Sequence, residues 1–394
     1  MEKVFLPALR EPVSLFVSDT HLFHQHNSAL QYQGQMIEQV NPDRLFLIGD
    51  IIDYEYIMHI IQKRMKAGGN GQEVTLPANF EDFLEELDVP AYEAHLRFMD
   101  VVMAQIDRGT EVYFIPGNHD NTLDIFNGQT LNGIHVRDHM LERFGGIITH
   151  LEHGDENDPA CLANYEGLYS KGSRILDAGL HIDHRLKRAF ESVSPGSIHY
   201  PFPITNSLKH IGKFFIASFR RNAALRALER GAAATITGHI HKADIRMITD
   251  ISTGRPMEMP GTVGAQFVGS PPSRSKINVK YMNTGDGLTH GTALLHMGRE
   301  VPNLRSMDGW VILTRHDIQK SRTFDPAAEN PHAEYRDETI DFLQKGWEAF
   351  IASTEFDKAW DHTGKRIRWY TENIAANSQA EHGEEEPPRW EHAV

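Results

Sequence analysis

Five short polar clusters contain the residues whose types and spacing could do chemistry. In chain order they are Asp19-Thr20-His21, Gly49-Asp50-Ile51-Ile52-Asp53, Gly117-Asn118-His119-Asp120, His153-Gly154-Asp155 and Gly238-His239-Ile240-His241. Their side chains offer carboxylate and amide oxygens together with imidazole nitrogens, a set that suits Mn²⁺, Fe or Zn²⁺ and does not suit a thiolate site. Because it would be costly to gather so many of these groups without a cation, the clusters predict a two-metal centre.

Each cluster follows a run of apolar, β-prone residues. The runs SLFVS, RLFLI, VYFIP and ATIT precede the first, second, third and fifth clusters, and the less regular GIITHLE precedes the fourth. Ligands of α/β folds lie at the carboxyl ends of strands, so these strands are expected to position the clusters. Asp19 and His21 are two residues apart, which points both side chains the same way on an extended strand end. His239 and His241 have the same spacing and can face the site together if the backbone turns there.

Hydrophobic periodicity predicts the remaining elements. A helix at about 27–40 should cross between parallel strands at 13–18 and 44–49, and a helical stretch should cover about 79–108. Residues 160–230 are largely helical, and the Gly-, Pro- and Ser-rich stretch 251–275 is typical of a long loop. Further strands are predicted at 112–116, 146–152, 233–237, 277–283, 291–297 and 309–314, the last three as an antiparallel finish.

In order, spacing and identity, the clusters resemble the signature of the calcineurin-like metallophosphoesterases, which reads DxH, GDxxD, GNHD, HGD and GHxH. All five elements are present and none is substituted. The resemblance covers roughly residues 12–160 and 231–315, and it does not explain the last eighty residues. It implies an α/β fold of two packed mixed β-sheets flanked by helices, a four-layer α/β/β/α sandwich, here with a helical insertion.

The resemblance also implies two divalent metal ions, with Mn²⁺ expected and Fe or Zn²⁺ as alternatives. The ligands that it assigns are Asp19, His21 and His241 for the first ion, Asn118, His153 and His239 for the second, and Asp50 as a bridge between both. Two such cations can hold a hydroxide nucleophile and clamp the phosphoryl oxygens. The implied activity is the hydrolysis of a phosphoester or pyrophosphate bond.

Four neighbours of these ligands have further candidate roles. His119 is expected to face the substrate, where an imidazole could protonate the leaving oxygen, although it could also be a packed turn residue. Asp120 would then orient His119 or, as an equally good alternative, cap the turn. Asp53 and Asp155 are expected to hydrogen-bond ligating histidines or nearby backbone.

Within the superfamily, the sequence is similar to bacterial relatives of UDP-2,3-diacylglucosamine pyrophosphohydrolase. The similarity lies in GNHD, in HGDEND and in the later stretch KYMNTGDGLTHGTALLHM. It suggests a nucleotide-sugar or lipid-linked substrate. The pyrophosphohydrolase itself usually has arginine where this chain has His119, so the identity of the substrate stays open.

The segment between the fourth and fifth clusters has a different charge from the rest of the chain. Residues 165–230 contain eleven Lys/Arg and five Asp/Glu, a local charge of +6. A basic helix with Phe214, Phe215 and Phe219 on its apolar face could form a lid that captures an anionic or acyl-bearing substrate, with Arg220 and Arg221 as substrate-binding residues. The alternative is a helix that packs this face on the core.

Composition limits the remaining classes. The 394 residues carry a formal net charge of −15, which argues against a generic nucleic-acid binder. Cys161 is the single cysteine, so no intramolecular disulfide can form and a reducing compartment is expected. The start MEKVFLPALREP does not read as a signal peptide, and no run approaches about 18 apolar residues. We expect a cytoplasmic protein and leave a peripheral membrane contact open.

The domain prediction separates a catalytic domain from a C-terminal extension. The catalytic domain is placed at 1–320, with 160–230 as its helical lid, and the extension at 321–394, with an acidic, mobile end. TIDFLQKGWEAFIAS suits an amphipathic helix, and a second helix is predicted in FDKAWDHTGKRIRWYTENI. These helices could dock on the core or form a contact in a homo-oligomer.

Three function classes are therefore compared. A metal-dependent phosphohydrolase acting on a phosphorylated small molecule or a lipid-linked substrate is favoured. A nuclease of the same superfamily would need a basic surface that tracks DNA, which this acidic chain does not offer. A non-catalytic scaffold that keeps the fold is the third class, but such scaffolds generally lose ligands and this chain retains all seven.

Overall fold

The strands that precede the polar clusters form the centres of two β-sheets. A computed structural model describes residues 11–24, 30–54, 56–58, 60–61, 80–86, 92–158, 203–251, 277–285, 287, 290–297, 309–317 and 330–353, with the backbone alone at 203–215, 250–251 and 277. The strands are β1 (Ser14–Val17), β2 (Arg44–Ile48), β3 (Glu111–Ile115), β4 (Thr130–Leu131), β5 (Ile134–Val136), β6 (Met140–Phe144), β7 (Ile147–Leu151), β8 (Ala234–Thr237), β9 (Asp244–Ile251), β10 (Ile277–Asn283), β11 (Ala293–His296) and β12 (Trp310–Leu313). The helices are α1 (Leu30–Val40), α2 (Phe80–Glu86), α3 (Tyr92–Asp107), α4 (Pro203–Glu229) and α5 (Arg336–Ile351).

The first sheet has seven strands in the order β12-β11-β1-β2-β3-β5-β4. Strands β1, β2, β3 and β5 are parallel neighbours, while β11, β12 and β4 pair antiparallel at the two sides. The parallel strands have near-continuous apolar sequences such as SLFV and RLFLI because both faces of this sheet are covered.

The second sheet has five strands in the order β6-β7-β8-β10-β9. Strands β7, β8 and β10 are parallel, and β6 and β9 are antiparallel at the edges. Each sheet is therefore mixed, with parallel strands at its centre.

Large apolar side chains fill the space between the two sheets. Phe16 of β1 and Phe46 of β2 stack with ring centroids 4.7 Å apart, and Phe144 of β6 meets Phe16 edge-on at 5.4 Å. Trp310 of β12 lies against Phe16 at 5.6 Å, and Ile236 of β8 belongs to the same buried cluster. The sheets thus pack face to face around an aromatic core.

Helices cover both outer faces. Leu15 and Val17, which alternate with Phe16 along β1, pack outward into a cluster that includes apolar residues of α1, α3 and α5. On the outer face of the second sheet, Ala224 and Leu228 of α4 pack against Val279 of β10. The result is the four-layer α/β/β/α sandwich that the sequence predicted.

Helix α5 lies within the predicted C-terminal extension and docks on the core. Its Trp347 packs against Phe83 of α2 at 5.4 Å, and its Leu343 carbonyl accepts a hydrogen bond from the Tyr54 hydroxyl at 3.2 Å. At its start, the Arg336 guanidinium pairs with three carboxylates, those of Glu81, Glu93 and Asp100. Of the two roles expected for this helix, the structure shows docking on the core.

The described elements agree with most sequence-based bounds. The expected loop was placed at 251–275, and β9 ends at residue 251. Four strands were not predicted: β4, β5, β6 and β9. Several predicted features lie outside the described residues: Cys161, residues 160–202 of the expected lid, the side chains of Phe214 and Phe215, residues 252–276, the second extension helix and the acidic end. Among the described helices, none combines the length and the apolar composition needed to cross a membrane.

Candidate metal centre

The polar clusters lie where the central strands of both sheets end. Strands β1, β2 and β3 are parallel neighbours in one sheet, and β7 and β8 are parallel neighbours in the other. The loops after β1 and β2 run side by side, because the Asp19 amide donates to the Gly49 carbonyl at 3.0 Å and the His21 amide donates to the Asp50 carbonyl at 2.9 Å. The strand ends therefore bring the predicted ligands together.

Asp19, His21 and His241 form the first cluster. One ligand atom from each lies within 4.8 Å of the other two. His241 Nε2 is 3.3 Å from Asp19 Oδ1, and the His21 and His241 rings stack with centroids 5.3 Å apart. These are the residues that the resemblance assigned to the first metal ion.

Asp50, His153 and His239 form the second cluster, again with one ligand atom from each within 4.8 Å of the others. His153 Nε2 lies 3.2 Å from Asp50 Oδ2. Asn118 joins this cluster, because its Oδ1 lies 3.1 Å from His239 Nδ1. The second set of predicted ligands is thus also gathered in one place.

Asp50 lies between the two clusters. Its Oδ1 accepts a hydrogen bond from the His119 amide at 2.9 Å. Its Oδ2 is 3.2 Å from His153 Nε2 and 3.9 Å from His21 Nε2, so this oxygen faces an imidazole of each cluster. Burial opposes the ionisation of Asp50, but the neighbouring imidazoles, His153 foremost, outweigh it and hold its pKa well below the usual value.

The backbone at most of these ligands has an uncommon conformation. Positive φ angles occur at Asp19 (52°), His21 (47°), Asp50 (53°), His239 (69°) and His241 (51°). They account for five of the eight non-glycine residues with positive φ in the part of the chain that the structure describes. Such residues cost on the order of 1 kcal/mol each and concentrate at functional sites. The strain identifies this region as one where side-chain placement takes precedence over backbone preference.

Two glycines give the clusters the room that they need. A Cβ on Gly49, which has a φ of +69°, would fall on the His153 ring. A Cβ on Gly117 would fall on the Asp50 carboxylate. Any side chain at either position would displace a ligand of the second cluster.

The environment of His153 tests whether a cation fits this site. The Ile48 carbonyl can only accept, so it receives a hydrogen bond from His153 Nδ1–H at 3.0 Å. In the neutral ring the acceptor lone pair is therefore on Nε2. Nε2 is buried without a hydrogen bond and faces the Asp50 carboxylate, so two acceptors meet unless a proton or a cation lies between them. Burial lowers the pKa of His153, but the Asp50 charge outweighs it and raises this pKa well above its usual value. A divalent cation fits this donor set, because ligating histidines commonly donate their other N–H to a carbonyl.

Comparison with known proteins agrees with this geometry. The calcineurin-like phosphoesterase profile matches residues 13–243, more than half of the chain. The chain belongs to this family. No curated protein sequence matches it. Among solved structures it is similar to vacuolar protein sorting 29 from Cryptosporidium parvum, with 12% identity over 77% of this chain and 95% of that one; the TM-score is 0.28, too low to support an argument.

His119 of this phosphoesterase lies beside the first cluster. Its ring meets the His21 ring edge-on at 4.8 Å, and its Nδ1 is 3.3 Å from Asp53 Oδ1. The other Asp53 oxygen lies 3.6 Å from His21 Nδ1. Burial disfavours ionisation of Asp53, but its two histidine neighbours outweigh this and hold its pKa well below the usual value. Asp53 thus links a predicted ligand to the predicted proton donor.

The Asp120 carboxylate faces backbone amides. Its carboxylate accepts hydrogen bonds from the amides of Ile51 at 2.7 Å, Ile52 at 3.1 Å and Gly117 at 2.5 Å. Burial and the charge of Asp50 raise the pKa of Asp120 to about 6, against these hydrogen bonds. The described contacts place Asp53, and not Asp120, against the His119 ring, so the expectation that Asp120 orients His119 is corrected.

The other predicted residues lie around the second cluster. Asp155 is half-buried next to His153, where its charge helps to raise the pKa of that imidazole. The Arg220 guanidinium pairs with Asp244 at 2.5 Å and lies over the Tyr281 ring, so its charge is compensated by a carboxylate of the fold. Arg221 is exposed, and its role in substrate binding stays a prediction.

Two residues at the site were missed by sequence reasoning. Asp158 Oδ2 lies 3.0 Å from His239 Nε2, and the Phe219 ring stacks on the His239 ring with centroids 5.8 Å apart. Asp158 ends the stretch HGDEND that was recognised as part of a signature, but only its first three residues were assigned roles. Phe219 was placed on an apolar helix face, and the structure buries it against the His239 ring.

Proposed function

We propose that this phosphoesterase hydrolyses a phosphoester or phosphoanhydride bond with two divalent metal ions at the site. The observation that carries the proposal is that two clusters of ligand atoms meet at Asp50, which belongs to one cluster and lies 3.9 Å from His21 of the other. A single ion would need only one of the clusters. Mn²⁺ is the metal that we expect, with Fe or Zn²⁺ as alternatives, because the donors are carboxylate, amide and imidazole groups.

Each ion would have ligands from both sheets. Asp19, His21 and His241 would hold one, Asn118, His153 and His239 would hold the other, and Asp50 would contact both. When bound, such ions neutralise phosphoryl oxygens and activate an attacking water.

His119 is suited to protonate the leaving oxygen. The Asp53 carboxylate accepts from Nδ1–H and favours a protonated ring, which leaves Nε2–H to donate to the substrate. Asp53 also contacts His21 through its second oxygen, so His119 is held at a fixed distance from the first cluster. Proton transfer is the contribution that we assign to this pair.

The site supports an enzyme over the two alternatives. A scaffold would not need seven ligands or the strained backbone that positions them. A DNA-cleaving enzyme would need a basic surface, whereas the formal net charge is −15. The nucleotide-sugar and lipid-linked substrates, and the lid that would select them, stay predictions.

Hydrolysis of simple chromogenic substrates would test the proposal. The full chain, loaded with Mn²⁺, should hydrolyse bis-p-nitrophenyl phosphate, p-nitrophenyl phosphate or a nucleoside diphosphate sugar. His153→Gln should abolish this activity because it removes a ligand. His296→Gln is the matched control, since His296 is equally buried but lies in the core between the sheets.

The outcomes separate the three function classes. Hydrolysis that is lost in His153→Gln and kept in His296→Gln supports the phosphohydrolase. Two bound metal equivalents without hydrolysis of any substrate would favour the scaffold and contradict the proposal. Cleavage of single- or double-stranded DNA at a far higher rate than of the small esters would favour the nuclease.

A further inference from the structure

Four side chains surround the His239 ring. Asn118 Oδ1 lies 3.1 Å from Nδ1, and Asp158 Oδ2 lies 3.0 Å from Nε2. The Phe219 ring is nearly parallel to the imidazole, with an interplanar angle of 20°. The His153 ring meets it edge-on at 5.3 Å. Both the plane of the ring and its two nitrogens therefore have defined neighbours.

Asp158 decides which nitrogen of His239 carries the proton. A carboxylate accepts hydrogen bonds but does not donate them, so Nε2 must be the N–H in this contact. In the neutral ring the lone pair is then on Nδ1, which faces Asn118 Oδ1. Two acceptors 3.1 Å apart are suited to share a cation. A carboxylate behind a ligating imidazole is a common way to fix its tautomer and raise its basicity.

Phe219 connects the same ring to helix α4. Its side chain is 1% exposed, and a Cβ on Gly154 would come within 2.9 Å of its ring, so the HGD loop and α4 touch here with no spare room. One turn further along α4, the side-chain amide of Asn222 donates a hydrogen bond to the backbone carbonyl of Asn157 at 3.0 Å. The helix is thus fastened to the loop that supplies Asp158.

We propose that Asp158 and Phe219 are positioning residues of the second metal site. Asp158 selects the tautomer that presents His239 Nδ1, and Phe219 fixes the plane of the ring. The inference rests on the proposed two-metal function and deepens it, because it assigns a role to two residues outside the five signature clusters.

Metal titration of the full chain tests the role of Asp158. By calorimetry with Mn²⁺, the unaltered protein should bind two equivalents. Asp158→Ala should weaken one of them by roughly 10–100-fold, the usual effect of removing such a partner, and leave the other unchanged. Asp158→Asn, which keeps an acceptor oxygen, should recover part of the loss. Glu156→Ala is the matched control, since this exposed carboxylate is on the same loop and should leave both affinities unchanged.

A tautomer readout separates positioning from general structural damage. In Zn²⁺-loaded protein with isotope-labelled histidine rings, nuclear magnetic resonance should show one ligand bound through Nδ1 with its proton on Nε2. Asp158→Ala should lose that signature while its melting temperature stays near that of the unaltered protein. An unchanged signature would contradict the assignment.

The role of Phe219 has its own matched pair. Phe219→Leu should weaken the same metal equivalent as Asp158→Ala, whereas Leu228→Ala, which also trims the buried face of α4 but packs elsewhere, should not. If Phe219→Leu fails to fold, Asp158→Ala still decides the inference. Two equivalents at unaltered affinity in Asp158→Ala would overturn it and leave the proposed function standing. Fewer than two equivalents in the unaltered protein would overturn both.

Discussion

The two halves of the metal centre are enclosed to different degrees. The open half comprises Asp19, His21 and His241, together with His119; Asp19 and His21 are buried, but the His241 side chain is 37% exposed and that of His119 is 30% exposed. The enclosed half comprises Asp50, Asn118, His153 and His239. There the side chains of Asp50 and His153 are only 3% and 1% exposed.

The halves are also held in place by different means. In the open half, all three ligands have positive φ angles and the rings of His21 and His241 support each other. In the enclosed half, Asp50 and His239 also have positive φ angles, and tertiary contacts are added: the Ile48 carbonyl orients His153, and α4 covers His239 through Phe219. Local backbone geometry thus positions ligands in both halves, and packing between sheet, loop and helix adds a second constraint in the enclosed one. Substitutions should distinguish them.

The largest effect should come from Asp50, which belongs to the enclosed half and also faces His21 of the open half. Asp50→Ala should reduce bound Mn²⁺ from two equivalents to below one and lower kcat by roughly 10³-fold or more, because both ions lose a ligand and charge compensation. Elemental analysis and steady-state hydrolysis would measure this. Asp43→Ala is the matched control, since Asp43 is at the opposite end of the same strand and contacts the Val13 amide. Retention of two equivalents in Asp50→Ala would show that the halves are independent.

A smaller and more selective effect is expected at His119. His119→Ala should lower kcat on a diester with a poor leaving group by roughly 10²–10⁴-fold, the range of general acid catalysis, and leave the metal content at two equivalents. A substrate with an activated leaving group needs no proton and should be much less affected. Equal losses on both substrates would instead assign His119 a positioning or electrostatic role.

The sequence was sufficient to predict the ligands of both halves and the central strands. Apolar runs such as SLFV and RLFLI predict parallel strands, and each is followed directly by its ligands, so both the element and the site follow from local order. The family, the four-layer sandwich and the ligand sets followed from the resemblance of the five clusters to the phosphoesterase signature. Edge strand β9 was missed because DIRMITDI mixes charged and apolar residues without a clear period.

The residues that support the ligands of the enclosed half depend on contacts that no local pattern reveals. Asp158 meets His239 across eighty-one positions, and Phe219 meets it only because α4 docks on the second sheet. The contact of Asp53 with the His119 ring, which was expected of Asp120, has the same origin. Turn geometry directs Asp120 toward the amides of Ile51 and Ile52, which leaves Asp53 to contact the His119 ring.

A buried histidine outside the site shows what enclosure alone does. His296 lies among Phe144 and Trp310, and burial, with a smaller opposing effect of Glu11, lowers its pKa from 6.5 to about 4. The unfolded chain therefore binds this proton at higher pH than the folded protein. The stabilisation is complete above pH 6.5 and is lost as the pH falls from 6.5 through 4, by roughly 3 kcal/mol in total.

Urea unfolding at several pH values would check this expectation. The free energy of unfolding should fall more steeply with acidification in the unaltered protein than in His296→Gln, and the difference between the two proteins cancels the histidines of the metal centre. Parallel curves would mean that burial does not govern this pKa. His296 could then no longer serve as the reference for His153, which is equally buried but has its pKa raised by neighbouring carboxylates.

The smallest expected effect compares one histidine from each half in metal-free protein. His153→Ala removes a buried imidazole and leaves the Asp50 carboxylate without its closest counter-charge, so the free energy of unfolding should fall by about 1–3 kcal/mol. His241→Ala removes a ring that is 37% exposed and should stay within about 0.5 kcal/mol of the unaltered protein. Urea unfolding in the presence of a chelator measures both. Each variant should also lose one Mn²⁺ equivalent, which confirms that the two substitutions are matched as ligand deletions. If both unfold at the same urea concentration, burial does not distinguish the halves, and the enclosed half is held no more firmly by packing than the open half is by its backbone.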